Sequence, residues 1–398
     1  MSAADLADLF RRHVCQTSDA PLGITVARAA GSTIWDDAGR PYLDLLAGMG
    51  VANVGHTHPA VVAAVRAQAE RHLHVMVYGE LVLEPQVRLA ERLAALLGPP
   101  LEVVYFTSSG AEAIEGALKT ARKHTGRGRL VAFEGGFHGD TLGALSVGGN
   151  PVYRTPFEPL LPDVDLLPFD DLAALAAIDA RTAAVVVEPV QAEGGVRIPS
   201  PGFLPALRRR CDETGALLVL DEVVTGFGRT GRLFAHRHWD VVPDLLVLAK
   251  ALGGGLPLGA FVGARRVMAT LAHDPPLAHV TTFGGHPLSC AAGLAALDVL
   301  LADDLSGRAA RLGARLLERL GALVGRGGLV AVRGLGLLVG LEFDGATQCA
   351  AFTRRALAAG LVLNWTLHRD TVVRLAPPLV IRDEEIDDAV ARIAVSLR

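Results

Sequence analysis

Through the middle of the chain, short apolar runs free of charge alternate with helical patterns: Val103 to Phe106, Leu130 to Phe133, Ala183 to Val187, Ala216 to Leu220 and Leu245 to Leu248. Strands buried on both faces read as continuous β-branched and leucine runs, whereas half-exposed strands alternate. The rhythm therefore predicts an α/β fold, a largely parallel sheet with helices on both sides. Gly259 to Gly263 makes a further strand. Two runs lead straight into acids, Glu188 and Asp221, and strand carboxyl ends are where open α/β sheets bind ligands.

The last of these runs ends at the most informative residue, Lys250. Lysine and arginine together number 38, yet only Lys119, Lys123 and Lys250 are lysine. Lys119 and Lys123 fall on a helix that could carry either cation. Lys250 instead follows an apolar run and opens onto Ala251, Leu252 and three glycines. Desolvation there disfavours the ammonium form, which suits an amine that must attack a carbonyl. Arginine cannot form an imine.

With 398 residues, 51% hydrophobic and 20% charged, the chain can bury one large core and a smaller one. A formal net charge of -4, with both signs interspersed, offers no stripe for nucleic acid and no membrane arm. The expected partners are small molecules and further copies of the chain. Cys15, Cys211, Cys290 and Cys349 form no CxxC pair, and the opening residues lack a signal-peptide core, so a cytoplasmic location is expected. Gly31 to Leu45 reads as a small meander. After Thr282 the pattern shifts to helices at Pro287 to Leu301 and Leu305 to Gly325, then strands near Leu329 to Val332 and Leu337 to Phe343. Helices at Gln348 to Ala359 and Glu384 to Leu397 bracket a last strand near Val372 to Leu375. This places an N-terminal segment (1–50) against a C-terminal small domain (289–398), with a large domain at 51–288.

Three features converge on one ligand. Thr107-Ser108-Ser109-Gly110-Ala111 joins a strand to a helix that carries Glu112 in its first turn. The junction offers free backbone N–H groups and the positive end of a helix dipole to a phosphate. By itself this is also what an ordinary helix cap looks like. Asp221 stands at the carboxyl end of a buried strand, where a carboxylate needs a cation, and a protonated pyridine nitrogen would supply it. With Lys250 for the aldehyde, these groups describe a site for pyridoxal 5'-phosphate.

The order of motifs resembles the class III aminotransferases, the ornithine, acetylornithine and 4-aminobutyrate group. The resemblance rests on GHTHP (55–59), SSGAEAIEGALK (108–119), GFHGDTLGALS (136–146), EPVQAEGG (188–195), DEVVTGFGRTG (221–231), LAKALGGGLPLGA (248–260), TTFGGHP (281–287) and VVRLAPPL (372–379). It implies the type I fold of pyridoxal-phosphate transferases, with a mostly parallel seven-stranded sheet and a smaller α+β domain. It also implies ping-pong transfer of an amino group to a 2-oxo acid. Lys250 resembles the lysine that joins the cofactor, and Asp221 the partner of its ring nitrogen. Ser109, Gly110 and Ala111 resemble the phosphate loop. Phe137 and Val223 resemble the residues against the two ring faces, and His138 a further cofactor contact. Thr282 resembles the hydroxyl that reaches the phosphate of a neighbouring subunit, implying a homodimer with shared sites. Glu188 resembles an acid on the substrate side.

Arg374, flanked by Val373 and Leu375, is a guanidinium in apolar surroundings suited to gripping a carboxylate. The resemblance implies that Glu193 pairs with it when no substrate carboxylate is present. Hence the leading donors are ω-amino compounds that carry a carboxylate: ornithine, acetylornithine, 4-aminobutyrate or β-alanine. Asp140, Val224 and His286 depart from the family's usual arginine, glutamine and asparagine, and Asp140 weakens the case for 2-oxoglutarate as acceptor. An aminomutase, a racemase or a dialkylglycine decarboxylase could use the same scaffold, and a binding protein without turnover is a remote alternative. Tyr78, Glu80 and Trp365 are candidates for the far pocket. The histidine pairs 56/58, 72/74 and 236/238 lack the further ligands a zinc site needs, so no metal is expected. GGGLPLG lacks the GK[ST] of a nucleotide loop.

Overall fold

The computed structural model describes residues 3–19 and 21–398. Strands β2 (Thr33–Asp36) and β3 (Pro41–Asp44) fall in the meander expected at Gly31 to Leu45, and β1 (Val26–Ala30), outside that range, extends it toward the N-terminus. The central strands follow: β4 (Val103–Thr107), β5 (Arg129–Phe133), β6 (Val164–Leu167), β7 (Thr182–Val187), β8 (Leu217–Asp221), β9 (Leu245–Leu248) and β10 (Gly259–Gly263). Beyond them lie β11 (Leu329–Leu335), β12 (Leu338–Phe343), β13 (Leu361–Val362), β14 (Asn364–Thr366) and β15 (Arg369–Leu375).

The central sheet has seven strands in the order β4-β10-β9-β8-β7-β5-β6. All its neighbours run parallel except β10, which is antiparallel to both β4 and β9. Alternate residues divide between two buried layers. Leu217, Val219, Leu245 and Val247 pack with Ala113, Ile114 and Ala117 of helix Gly110–Thr125, while Leu218, Leu220, Leu246 and Leu248 join the core that contains Phe203, Leu204 and Leu207 of helix Phe203–Thr214. Each such side chain contributes up to about 1.5–3 kcal/mol. A sheet covered on both faces can present polar groups only at its ends.

β6 was not legible in the sequence. It is an edge strand whose apolar run is broken by Asp165, which pairs with Arg129 on the neighbouring β5. β13 and β14 are too short to read as strands by themselves. They exist through pairing: β13 runs parallel to β3, so the meander extends into the C-terminal part of the chain, and β14 lies antiparallel to β15. The sheet β11-β12-β15-β14 carries Arg374 opposite Gly340 and Asn364. Among the described residues, no helix is long and apolar enough to cross a membrane.

Arg229 joins these parts. Its side chain is fully buried, with Nη1 donating to the carbonyls of Leu337 at 3.0 Å and Pro377 at 2.6 Å, and Nη2 donating to Asn53 Oδ1 at 2.6 Å. Burial pushes its guanidinium down to about 9, against the pull of Asp44, with Arg374 adding to the depression. Removing the donors strands three acceptors in a dry interior. Arg229→Met is expected to lower folding stability by about 2–4 kcal/mol, read as a shift of the urea midpoint.

Candidate active site

The carboxyl ends of the central strands surround a cavity of about 380 Å³. Its walls include Ser109, Gly110, Ala111, Phe137, His138, Glu188, Glu193, Asp221, Val223 and Lys250. Ten of the twelve residues singled out from the sequence thus share one space. The other two do not line it: Arg374 stands behind Glu193, and Thr282 is exposed on the loop before helix Pro287–Ala302.

The phosphate-loop candidate is built by close packing. Ser109 caps helix Gly110–Thr125, its hydroxyl accepting from the backbone N–H of Glu112 at 3.2 Å. A Cβ on Gly110 would meet Val223 Cγ2 at 3.1 Å, and one on Gly259 of β10 would lie 2.1 Å from the Ser109 carbonyl oxygen. Only glycine lets the loop settle this deeply against the sheet.

Asp221 is 4% exposed and has both oxygens engaged. Oδ1 accepts from the N–H of Val223 at 2.9 Å, and Oδ2 lies 2.8 Å from His138 Nδ1. Burial alone would lower the His138 imidazole. The hydrogen bond and charge of Asp221, with Glu188 adding to them, raise it above the ordinary histidine value instead. His138 therefore fixes the orientation of Asp221 and shares its charge. The sequence pointed to His138 as a cofactor contact, and the structure adds this bond to the strand-end acid.

Lys250 follows β9 after one residue, Ala249, and takes a left-handed backbone, φ 51°. For a residue with a Cβ this conformation is costly and marks a functional constraint. Helix Pro287–Ala302 holds the turn in place, since a Cβ on Gly293 would lie 2.2 Å from the Leu252 carbonyl oxygen and one on Gly254 would lie 2.6 Å from that of Ala292. Lys250 is only partly covered, and the space it borders is the cavity. Burial lowers its amine below the usual lysine value; Arg374 acts in the same direction, and Glu193, Asp221 and Glu188 oppose it.

Glu193 and Arg374 form a buried ion pair between Oε1 and Nη1, and Glu193 Oε2 accepts from the N–H of Leu367 at 2.8 Å. Burial alone would raise the Glu193 carboxyl, but Arg374 reverses the effect and holds it below the usual range. Glu188 accepts from the N–H groups of Phe137 and Ala192, each at 3.0 Å, and so anchors the loop that carries Phe137 and His138.

GGGLPLG lacks a nucleotide-loop signature, yet Gly255, Leu256, Pro257 and Leu258 within it form a wall of this cavity, which their sequence does not announce. The only signal was their adjacency to Lys250. Val224 also lines the cavity, whereas Tyr78, Glu80 and Trp365 do not.

The arrangement fits pyridoxal phosphate. A helix N-terminal loop packed tightly against the sheet, a buried carboxylate held by His138, and an amine of lowered basicity line one cavity large enough for the ring. The fold and site together define a pyridoxal-phosphate enzyme of amino-group chemistry. The chain belongs to the class-III aminotransferases, the family it matches over residues 14–397. It is 44% identical to the acetylornithine aminotransferase of Methanopyrus kandleri, over 100% of this chain and 99% of that one. It is 42% identical to the putrescine aminotransferase of Pectobacterium atrosepticum, over 94% of this chain and 82% of the other. Among solved structures it is similar to the ornithine aminotransferase of Toxoplasma gondii, at 35% identity and TM-score 0.93, with 100% of this chain and 95% of that one covered. An amine transaminase from an uncultivated Pseudomonas species, solved with pyridoxal phosphate bound, superposes at TM-score 0.89 with 34% identity, covering 97% of each chain.

Glu188 makes the site pH-sensitive. Burial first, then the charge of Asp221, push its carboxyl up to about 7 from 4.5, against the opposing pull of His138 and two backbone N–H groups. Between those values the folded protein holds a proton that the unfolded chain has released, so stability falls as pH rises through the window. The full effect is on the order of 3 kcal/mol. Glu188→Gln is expected to flatten the dependence of the urea midpoint on pH between these values.

Proposed function

We propose that the enzyme takes the ω-amino group of a donor that also bears a carboxylate, as acetylornithine and ornithine do, and passes it to a 2-oxo acid in two alternating half-reactions. The observation that carries this reading is the Arg374–Glu193 pair. Arg374 is only 2% exposed, and its ionic partner is a carboxylate on the cavity wall. A donor carboxylate can take the place of Glu193 without leaving the guanidinium unpaired; an uncharged end leaves the pair closed. The similarity to acetylornithine and ornithine aminotransferases supports the same donors.

Ser109, Gly110 and Ala111 would hold the cofactor phosphate, with Phe137 and Val223 against the ring and Asp221, steadied by His138, at its nitrogen. The cofactor, when bound, supplies an aldehyde that takes up the amino group and a ring that accepts electrons as a C–H bond breaks. Lys250 anchors it and, once released, moves the substrate proton as a general base. Its depressed basicity leaves more of the amine free for both tasks.

A homodimer completes this reading. Leu73, Met76, Tyr78, Leu81 and Val82 are exposed, as are Leu277, Val280 and Phe283 on either side of Thr282. Tyr78, Val87, Thr281 and Gly284 line one groove. A second copy would cover this apolar surface and bring Thr282 to the neighbouring phosphate. The cysteines are free thiols, three of them buried, which supports a reducing compartment such as the cytoplasm.

The relative that acts on putrescine favours a second reading, a diamine donor without a carboxylate. A donor panel separates the two, read by conversion of the bound cofactor from its aldehyde to its amine form. Lys250→Ala is expected to abolish turnover. Arg374→Ala should lower kcat/KM for carboxylated donors roughly 10- to 100-fold more than for diamines and monoamines. Equal losses on all donors would favour the diamine reading.

A further inference from the structure

Arg374 touches a second group besides Glu193. Its Nη2 donates to the thioether sulfur of Met49 at 3.3 Å. Met49 reaches this point through an unusual backbone, because Ala47, Gly48, Met49 and Gly50 all have positive φ, at 51°, 59°, 67° and 83°. A left-handed turn crowds Cβ against the following carbonyl, so alanine and methionine adopt it only where their surroundings enforce it.

Those surroundings are present. Asp44, 1% exposed, accepts through Oδ1 from the N–H of Leu46 at 2.7 Å and of Ala47 at 3.1 Å, and its Oδ2 lies 2.7 Å from His56 Nε2. The Ala47 carbonyl accepts from Val51 at 2.8 Å and Ala52 at 2.9 Å. The next residue along, Val51, lines the cavity. A buried carboxylate and its histidine thus enforce a turn whose product is a thioether resting on the guanidinium.

We propose that Met49 is a positioning residue that sets how readily Arg374 exchanges Glu193 for a substrate carboxylate, and so tunes affinity for carboxylate-bearing substrates. This rests on the reading of Arg374 as carboxylate receptor. A carboxylate binds guanidinium best through two parallel N–H groups. Here Glu193 holds Nη1 and Met49 holds Nη2. A thioether is a weak acceptor, enough to occupy Nη2 and cheap to displace. A carbonyl oxygen in its place would hold the guanidinium harder against the incoming substrate; an alkyl group would leave the N–H free for it.

The test compares holoenzymes carrying Met49→Gln and Met49→Leu, side chains of similar size and opposite acceptor strength, with Arg374→Ala as reference. Binding of valerate, a carboxylate without an amine, is measured by calorimetry, and kcat and KM are measured for an ω-amino acid and a monoamine. Gln should raise the valerate Kd about fivefold and Leu should lower it about twofold, with the KM of the ω-amino acid following and the ratio of the two donors' kcat/KM shifting in the same opposed directions.

A third arm leaves the sequence untouched. Hydrogen peroxide oxidises the sulfur to a sulfoxide, one peroxide oxygen forming the S=O bond and the other leaving as water. The new oxygen is a strong acceptor, so the wild-type Kd should rise while that of Met49→Leu stays put. Shifts of the same sign in both variants, equal effects on both donors, or a valerate Kd that none of the arms moves would overturn the proposal. If Arg374→Ala fails to discriminate between donors, the carboxylate reading falls; if it discriminates and the Met49 arms do not, only the role of Met49 falls.

Discussion

A sheet covered on both faces dictates where chemistry can occur in this molecule. β7, β8, β9 and β10 are buried along their whole length, so any functional group they deliver must emerge at an end. The carboxyl ends supply Glu188, Asp221 and Lys250 from neighbouring strands, and β4 supplies the loop at Ser109. The cavity is therefore a product of topology before it is a product of side chains. The side chains then add what water would otherwise provide: each oxygen of Asp221 and Glu188 has a protein partner.

The adjacent acids Asp221 and Glu222 show how local geometry assigns different tasks to like residues. Asp221 faces the cavity. Glu222 is fully buried and accepts from the N–H of Ala235 at 2.5 Å, the N–H of His236 at 2.7 Å and the His236 ring at 2.7 Å, tying down the segment that follows the glycine-rich turn. One step along a strand end separates a carboxylate on the cavity wall from a structural clasp.

Much of this was legible in the residues. The five continuous apolar runs became β4, β5, β7, β8 and β9, because burial on both faces leaves a compositional trace. Lys250 and Asp221 stood out because each was a charged group at the end of such a run. Edge and very short strands left no trace: β6 is interrupted by an acid, and β13 and β14 exist only through their partners. Contacts across long separations were equally silent in composition. The bond from His138 to Asp221, the cradle of Arg229 and the approach of Met49 to Arg374 join segments 83 to 325 residues apart. A chain pattern reports local periodicity and burial, and says little about which distant loops will meet.

The close contacts beneath Ser109 carry a consequence for remodelling the pocket. Gly110 against Val223 and Gly259 against the Ser109 carbonyl leave that wall without spare volume. The stretch Gly255 to Leu258, which runs into Gly259, is a loop; a Cβ on Gly255 would meet nothing within 4 Å, but its φ of 109° is a backbone conformation that a side chain resists. Open space alone therefore does not make a wall adjustable: bulk added at Gly255 is limited by backbone strain, and bulk added at Gly259 by contact with the Ser109 loop.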